Sequence, residues 1–333
     1  MHVLGLESTC DETAASIVVS GKTILSNVVF SQASLHAPYG GVYPEVASRA
    51  HIEAIIPVID AALKEAGLDK KEIDLIAVAK EPGLVGGLLL GLEAAKGLSL
   101  SLAKPFIGVN HLEAHLYAAM MGESAFCFPA LGVVLSGGHT LLYKIDSIGT
   151  YSRLATTLDD ALGEAFDKLA VMLGYPYPGG PMIEKLAQKG NPNRFKLKAG
   201  HSKTSPMDFS YSGLKTALRM LIEQSGDDSE LFKCDVAASF QKTVFEDLEA
   251  KIRRVCQLHN LQTIYLGGGV MCNGALRAHL VGKFSDKKLC FAPKSLCVDN
   301  AAMIAGLGFH RYELQKHSDP LELTPKTRAS LLG

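Results

Sequence analysis

Two different structural units occur in this chain twice, in the same order, and this duplication restricts the fold more than any other feature of the sequence. Residues 3–6 (VLGL) and 15–19 (ASIVV) read as short apolar strands around the polar turn ESTCDET. Residues 131–135 (LGVVL) and 140–145 (TLLYKI) repeat the plan around SGGH. Alternating apolar runs broken by small and polar residues are the pattern of paired strands joined by tight turns. The second unit is a buried strand, a glycine-rich turn and a helix. It is present at 73–102 (IDLIAVAKEPGLVGGLLLGLEAAKGLSLSL) and at 261–281 (LQTIYLGGGVMCNGALRAHLV).

Strand, glycine turn and helix together bring backbone N–H groups and a helix N-terminus to a phosphate. Two copies of two units therefore predict a duplicated α/β pair of the actin, sugar-kinase and Hsp70 type, with a nucleotide in the cleft between the halves. The expected domains are 1–125 plus 300–333, and 126–299. Residues 161–173 read as a helix that the Pro/Gly cluster 176–181 stops.

Charge and cysteine content narrow the class. A formal net charge of −1 gives no chain-wide positive field for nucleic acid. A local exception lies between 181 and 220, where eight Lys/Arg (185, 189, 194, 196, 198, 203, 215, 219) face only Glu184 and Asp208. A solvated basic loop explains this, and so does a phosphate-backbone contact. Seven cysteines without a CxxC pair indicate reduced thiols in a reducing compartment. No signal peptide opens the chain and no uninterrupted apolar run of membrane length occurs in it, so a cytoplasmic protein is expected.

Within VNHLEAHLYAAMM (109–121), His111 and His115 are four apart on a helical pattern and so share a face, where both could hold one metal ion. Two surface histidines with ordinary partners would give the same spacing. A metalloprotease needs HExxH, with glutamate next to the first histidine. Here Glu113 lies two residues on, about 200° around the helix, and points away from such an ion. Asp299, just before an apolar helix starting near 301, is either a third ligand or a helix cap. Two histidines and one carboxylate would leave open positions suited to Fe(II) or Zn(II) as a Lewis acid. Asp167, Asn273, Asp11 and Glu12 each have an ordinary reading as well: a solvent-facing ion-pair partner, a helix start and two exposed turn residues.

Taken together, GLESTCDET (5–13), HAPYGGVYPEVASRAH (36–51), NHLEAH (110–115), VVLSGGHT (133–140), DDALGEAFDKLA (159–170), YPGGP (177–181), DFSYSGLKTA (208–217), LGGGVMCNGALR (266–277) and CVDNAAMIA (297–305) resemble the bacterial TsaD family, the tRNA N6-adenosine threonylcarbamoyltransferases once called O-sialoglycoprotein endopeptidases. The resemblance spans nearly the whole chain. It implies an actin-like fold and a metal held by His111, His115 and Asp299, iron in many members and zinc in some. It implies a nucleotide-containing substrate bound by Val134, Leu135, Ser136, Gly137, Gly138, Asp167, Gly180 and Asn273. The implied reaction passes the threonylcarbamoyl group of L-threonylcarbamoyl adenylate to N6 of adenine 37 in tRNAs reading codons that begin with A, and AMP leaves. Asp11 is the expected residue for orienting or deprotonating the amine. The implied partners are tRNA, a paralogous TsaB-like subunit and a TsaE-like P-loop ATPase. The basic 185–219 segment is expected to face tRNA on the ground of its charge, not of the resemblance. An ATPase or small-molecule kinase of the same fold is the competing expectation, and it leaves the metal triad without a role.

Three departures from the family pattern stand out. The opening turn reads EST where ETS is commoner. Glu81 stands where a glycine is usual, and an acid there would repel a phosphate unless it points outward. The tail reads TPKTRASLLG and has no tryptophan.

Overall fold

The computed structural model describes residues 1–200 and 205–328. Lys203 of the basic segment and the last five residues of the tail lie outside them. The chain divides into two compact units, one of 1–126, 146–151 and the chain from 292 onward, the other of 127–145 and 152–291.

The first unit is built on strands β1 (His2–Glu7), β2 (Glu12–Val19), β3 (Thr23–Ser31), β4 (Leu75–Glu81) and β5 (Phe106–Asn110), in the sheet order β3-β2-β1-β4-β5. β1, β2 and β3 pair antiparallel, whereas β4 joins β1 and β5 in parallel. Its helices are α1 (Ala33–His36), α2 (Pro44–Ala66), α3 (Val85–Leu102) and α4 (His111–Ala118). Alternation along β1 divides the work between two faces. Leu4 and Leu6 join Ile55 and Val58 of α2 and Leu92 of α3 in the core. Gly5 faces the opposite way. A Cβ there would lie 2.7 Å from the Ala305 nitrogen, on a helix running from Ala301 to Gln315. Glu7, two residues on, shares the face of Gly5. Helix α3 is long and apolar enough to cross a membrane, but it packs Leu88, Leu92 and Ala95 into the unit.

The second unit repeats the order as β8-β7-β6-β9-β10, from β6 (Ala130–Leu135), β7 (Thr140–Ser147), β8 (Thr150–Thr156), β9 (Thr263–Gly267) and β10 (Lys288–Phe291). Its helices are α5 (Leu162–Met172), α6 (Gly180–Ala187), α7 (Ser212–Ser225), α8 (Glu230–Leu258) and α9 (Gly274–Lys283). Near the C-terminus, α10 (Lys294–Cys297) and α11 (Ala301–Gln315) return to the first unit. The duplication expected from the sequence is present strand for strand, and helix α5 falls where the 161–173 pattern puts it.

Candidate functional site

Helix α4 follows β5 without a loop. Asn110 ends the strand and caps the helix, its Oδ1 accepting from Leu112 N at 2.9 Å and Glu113 N at 3.2 Å. That cap fixes the first turn, and with it His111 and His115 on one face. Opposite them, α11 has its own cap. Asn300 Oδ1 accepts from Met303 N at 3.0 Å, and its amide donates to the carbonyls of Leu296 and Val298. Asp299 therefore does not cap α11. Its Oδ1 lies 3.1 Å from His115 Nε2 and 3.5 Å from His111 Nε2. Ligand atoms of the three residues lie within 4.8 Å of one another, so all three can hold one ion.

The histidines are prepared differently. Glu7 Oε2 is 2.9 Å from His111 Nδ1, and Thr9 Oγ1 is 3.3 Å from the same nitrogen. A carboxylate at Nδ1 keeps the proton there and turns Nε2 toward an ion as a lone pair. Burial pulls the His111 imidazole down, but Glu7 and Asp299 outweigh it and leave it at about 9, so an ion bound at Nε2 would displace a proton from that nitrogen. His115 is fully buried; its Nε2 faces Asp299 Oδ1, and its Nδ1 has no hydrogen-bond partner among the described residues. A carboxylate and two imidazoles brought this close in a buried place are costly on their own, and a cation between them would offset that cost. The donor set of two imidazoles and one carboxylate fits a divalent transition ion.

Glu113 is engaged elsewhere. Its Oε1 accepts from the Tyr151 hydroxyl at 2.9 Å and from Gly149 N at 3.1 Å. Burial pushes its carboxyl up. Glu113 is thus turned to Tyr151 and Gly149 and is not placed as the general base of a zincin.

The 8–11 turn is clamped from three sides. Ser8 Oγ donates to the Gly87 carbonyl at 2.9 Å, Leu84 N donates to the Thr9 carbonyl at 2.8 Å, and Gln32 N to the Asp11 carbonyl at 2.9 Å. A Cβ at Gly83 would sit 2.7 Å from the Thr9 carbonyl oxygen. The glycines of this turn thus admit the neighbouring backbone. Glu81 ends β4 beside Asn110 in the sheet, half-buried. Asp11 is buried, and Glu12 begins β2, so neither is an exposed turn residue. Burial, then Asp299 and Asp11, push the Glu12 carboxyl far above the ordinary carboxylate range.

Sequence reasoning missed a polar chain behind this turn. Tyr43 N donates to His36 Nδ1 at 3.3 Å, which leaves the proton on Nε2 to meet Gln32 Oε1 at 3.1 Å. The Gln32 amide donates to His51 Nδ1 at 3.4 Å, where Thr13 Oγ1 also donates at 2.8 Å. His51 must then carry its proton on Nε2, which donates to the Cys10 carbonyl at 3.0 Å. Burial lowers the His51 imidazole, which favours this neutral form. Every tautomer in the chain follows from the backbone N–H at one end and the carbonyl at the other.

In the second unit, Val134 and Leu135 are buried in β6 and lead into the Ser136–Gly138 turn. Ser136 N donates to the His139 carbonyl at 2.8 Å, and Gly137 and Gly138 are exposed. Gly163, at the start of α5, lies against Ser136 and Gly137, where a Cβ would meet the Ser136 carbonyl at 2.6 Å. Gly268, with φ +95°, packs on the Leu135 carbonyl. These glycines bring the ends of β6, β9 and α5 together.

Asp167 is half-buried and turned to the backbone: its Oδ1 accepts from Gly179 N at 2.7 Å, beside Gly180 at the start of α6. Asn273 does begin α9. Its Oδ1 accepts from Leu276 N at 2.9 Å and its amide donates to Gln241 Oε1 at 3.1 Å. Glu184 of α6 accepts from Gly274 N at 2.8 Å, placing an internal anion where the glycine pattern predicts a phosphate.

Residues 23–306 match the family model described as TsaD, tRNA N6-adenosine threonylcarbamoyltransferase. The protein of that name from Protochlamydia amoebophila is 53% identical over 338 residues, covering 99% of this chain and 98% of the relative. That from Symbiobacterium thermophilum is 47% identical over 310 residues, covering 92% and 91%. Among solved structures, full-length HypF in its phosphate- and nucleotide-bound form aligns with a TM-score of 0.62 at 14% identity, over 95% of this chain and 47% of that one. Component A of the Acidaminococcus fermentans (R)-2-hydroxyglutaryl-CoA dehydratase aligns with a TM-score of 0.53 at 12% identity, over 94% and 99%. At such identities the likeness is one of fold, and the fold is the actin-like α/β duplication.

Proposed function

The chain belongs to the tRNA N6-adenosine threonylcarbamoyltransferase family, and on that premise we propose that it passes the threonylcarbamoyl group of L-threonylcarbamoyl adenylate to N6 of adenine 37 in tRNAs reading codons that begin with A. A bond forms between N6 and the carbamoyl carbon, the bond from that carbon to the phosphate oxygen breaks, AMP leaves, and one amine proton is lost. The observation that carries the reading is the convergence of the buried His115, Asp299 and a His111 oriented by Glu7, with ligand atoms within 4.8 Å of one another.

His111, His115 and Asp299 would hold one divalent ion, Fe(II) ahead of Zn(II). Bound there, the ion supplies Lewis-acid polarisation of a carbonyl or phosphoryl oxygen. The rest falls to side chains and backbone. Val134, Leu135 and the Ser136–Gly138 turn bind the nucleotide part of the adenylate, where two exposed glycines allow close approach to the backbone. Asp167 offers acceptor oxygens for the ribose hydroxyls. Gly180 and Asn273 shape the same site, Asn273 by holding the first turn of α9 and Gln241 in place. Asp11, on the clamped turn, orients or deprotonates the adenine amine. Adenine 37 lies in a loop, so the base is presented without opening a long helix.

A TsaB-like paralogue and a TsaE-like P-loop ATPase complete the working assembly in the cytoplasm. The test combines the chain with those partners, the adenylate and unmodified tRNA, and follows nucleosides by mass analysis. Modified adenosine in the wild type and little in His111→Ala is the expected result. An inactive wild type with competent partners, releasing phosphate from ATP instead, would replace the transferase by an ATPase.

A further inference from the structure

Residues 188–200 have no regular secondary structure, yet the segment is fastened along one stripe of α8. Asn191 N donates to Asp235 Oδ1 at 2.7 Å, and Phe195 N to Ser239 Oγ at 3.2 Å. Ser239 Oγ donates in turn to the Asn191 carbonyl at 3.4 Å, and Lys242 Nζ to Asn193 Oδ1 at 2.6 Å. The Phe195 and Phe232 rings meet at 5.6 Å. Positions 232, 235, 239 and 242 are three and four apart, so they form one face of the helix. At the two ends, Gly190 lies against the Cys234 carbonyl and Gly200 N donates to the Ser210 carbonyl at 3.0 Å.

This fastening displays cations. Arg194, Lys196 and Lys198 are exposed and alternate with half-buried Phe195 and Leu197. Lys185 and Lys189, on the same stretch of chain, are exposed too. None of these five cations has an ion-pair partner among the described residues: Asp228 and Glu246 pair with Lys233 at 2.6 Å and Lys242 at 3.8 Å, while Glu184 and Asp235 accept from Gly274 N and Asn191 N. Lys215 and Arg219 differ, since Lys215 pairs with Asp160 at 2.8 Å and Arg219 with Glu223 at 3.9 Å. The basic stretch thus contains a part, 185–198, whose cations make no ion pair among the described residues, and a part spent on internal ion pairs.

We propose that the Arg194–Lys196–Lys198 row, together with Lys185 and Lys189, is a phosphate-backbone contact for the tRNA substrate. It rests on the transferase reading above. Cations on a pre-ordered segment lose little entropy on binding, and long side chains spaced along an extended run suit a repeating polyanion. A row of this kind positions the RNA without reading its bases.

The experiment measures binding of unmodified tRNA, to the chain alone and with its partner subunits, by fluorescence anisotropy across a salt series. Wild type is compared with Arg194→Ser/Lys196→Ser/Lys198→Ser and with a control, Lys70→Ser/Lys71→Ser. The slope of log K against log[salt] should fall by about 2–3 in the triple variant, near one per lost phosphate contact. Weakening should be equal across tRNA sequences, the KM for tRNA should rise in the transfer assay, and the control should match wild type. An unchanged slope in the triple variant, or an equal fall in the control, overturns the proposal. A wild type that modifies tRNA while the triple variant binds it normally but loses an acidic vesicle or polypeptide assigns the row to another partner and overturns it as well. A wild type that neither binds nor modifies tRNA brings down the transferase reading itself.

Discussion

Glu7 Oε2 lies 2.9 Å from His111 Nδ1, across 104 residues of sequence, and this contact decides which imidazole nitrogen is presented toward His115 and Asp299. Replacing Glu7 by glutamine keeps the shape but lets the amide donate as well as accept, so the tautomer is no longer fixed. Partners of this kind are worth about 10- to 100-fold in metal affinity. Chelator competition with Fe(II) or Zn(II) should show that loss in Glu7→Gln, while His115→Ala should bind too weakly to measure. Equal affinity in Glu7→Gln and wild type would mean that the carboxylate does not orient the ring.

Metal removal should also lower stability. An ion that binds only the folded chain contributes about 2.7 kcal/mol at a hundredfold excess over its Kd. Chelation should therefore lower the Tm of the wild type and leave His115→Ala unmoved, because the variant has no site to empty. A chelator effect of the same size in both proteins would place the stabilising ion elsewhere.

His51 offers a sharper test of the turn that bears Asp11. Its Nε2–H donates to the Cys10 carbonyl, whereas Nδ1 only accepts. Glutamine at this position reproduces the donor, and asparagine reproduces the acceptor. His51→Gln should hold the turn and keep turnover near wild type. His51→Asn should lose about 10- to 100-fold in kcat, the range expected for a displacement near 1 Å at reacting groups. Hydrogen exchange at residues 8–12 should rise in the asparagine variant alone. Similar kcat values for the two variants would reduce His51 to packing.

These contacts mark the limit of what sequence makes legible. The duplicated units were readable because strand and helix periods are local properties of the chain. His111 and His115 were readable because one turn of helix brings them together. Glu7 stood in plain view within GLESTCDET, but nothing local connects it to position 111. Asp299 was ambiguous for the opposite reason: a carboxylate before a helix has an ordinary capping role, and only the Asn300 cap in the structure removes it. The glycine turns carry contacts that the pattern alone does not show. Gly83 and Gly268 admit neighbouring backbone, and Glu184 takes the α9 N-terminus from a residue 90 positions away. The basic segment was visible as a count, but which of its cations are neutralised depends on tertiary partners.

The acid limb of stability should depend on Asp159. Both of its oxygens accept, from Ser210 Oγ, Tyr211 N, Ser212 N and Ser212 Oγ, at the start of α7. Burial is the largest single effect and raises its carboxyl, but the four hydrogen bonds together outweigh it and hold the group below the ordinary carboxylate range. A lowered folded value means the contribution is complete above the unfolded value near 3.9 and is lost as pH falls through the folded one. Asp159→Asn should cost about 1 kcal/mol at pH 7, as the loss of a helix-terminal acceptor does. Its difference from wild type should shrink toward pH 3. Urea unfolding at the two pH values measures this, and a difference that widens in acid contradicts it.

Fold and site meet at Gly5. It faces α11 at the point where that helix crosses β1, and a methyl group there would lie 2.7 Å from the Ala305 nitrogen and 2.8 Å from its Cβ. Neither neighbour is the end of a flexible side chain, so α11 must move. Overpacking of this kind costs about 1–3 kcal/mol or more. The displacement has a second consequence, because Asp299 stands two residues before the first turn of α11 and its carboxylate must keep within reach of both imidazoles. Gly5→Ala should therefore lose metal affinity as well as stability, although it touches no ligand. Gly282→Ala is the matched control: that glycine lies within α9 with open space around it, and alanine there should stabilise by up to about 1 kcal/mol. Unfolding and chelator-competition measurements on the two variants should thus give opposite signs for stability and a change in metal binding for Gly5→Ala alone. Unaltered metal affinity in a destabilised Gly5→Ala would show that α4 and Glu7 hold the site without help from the position of α11.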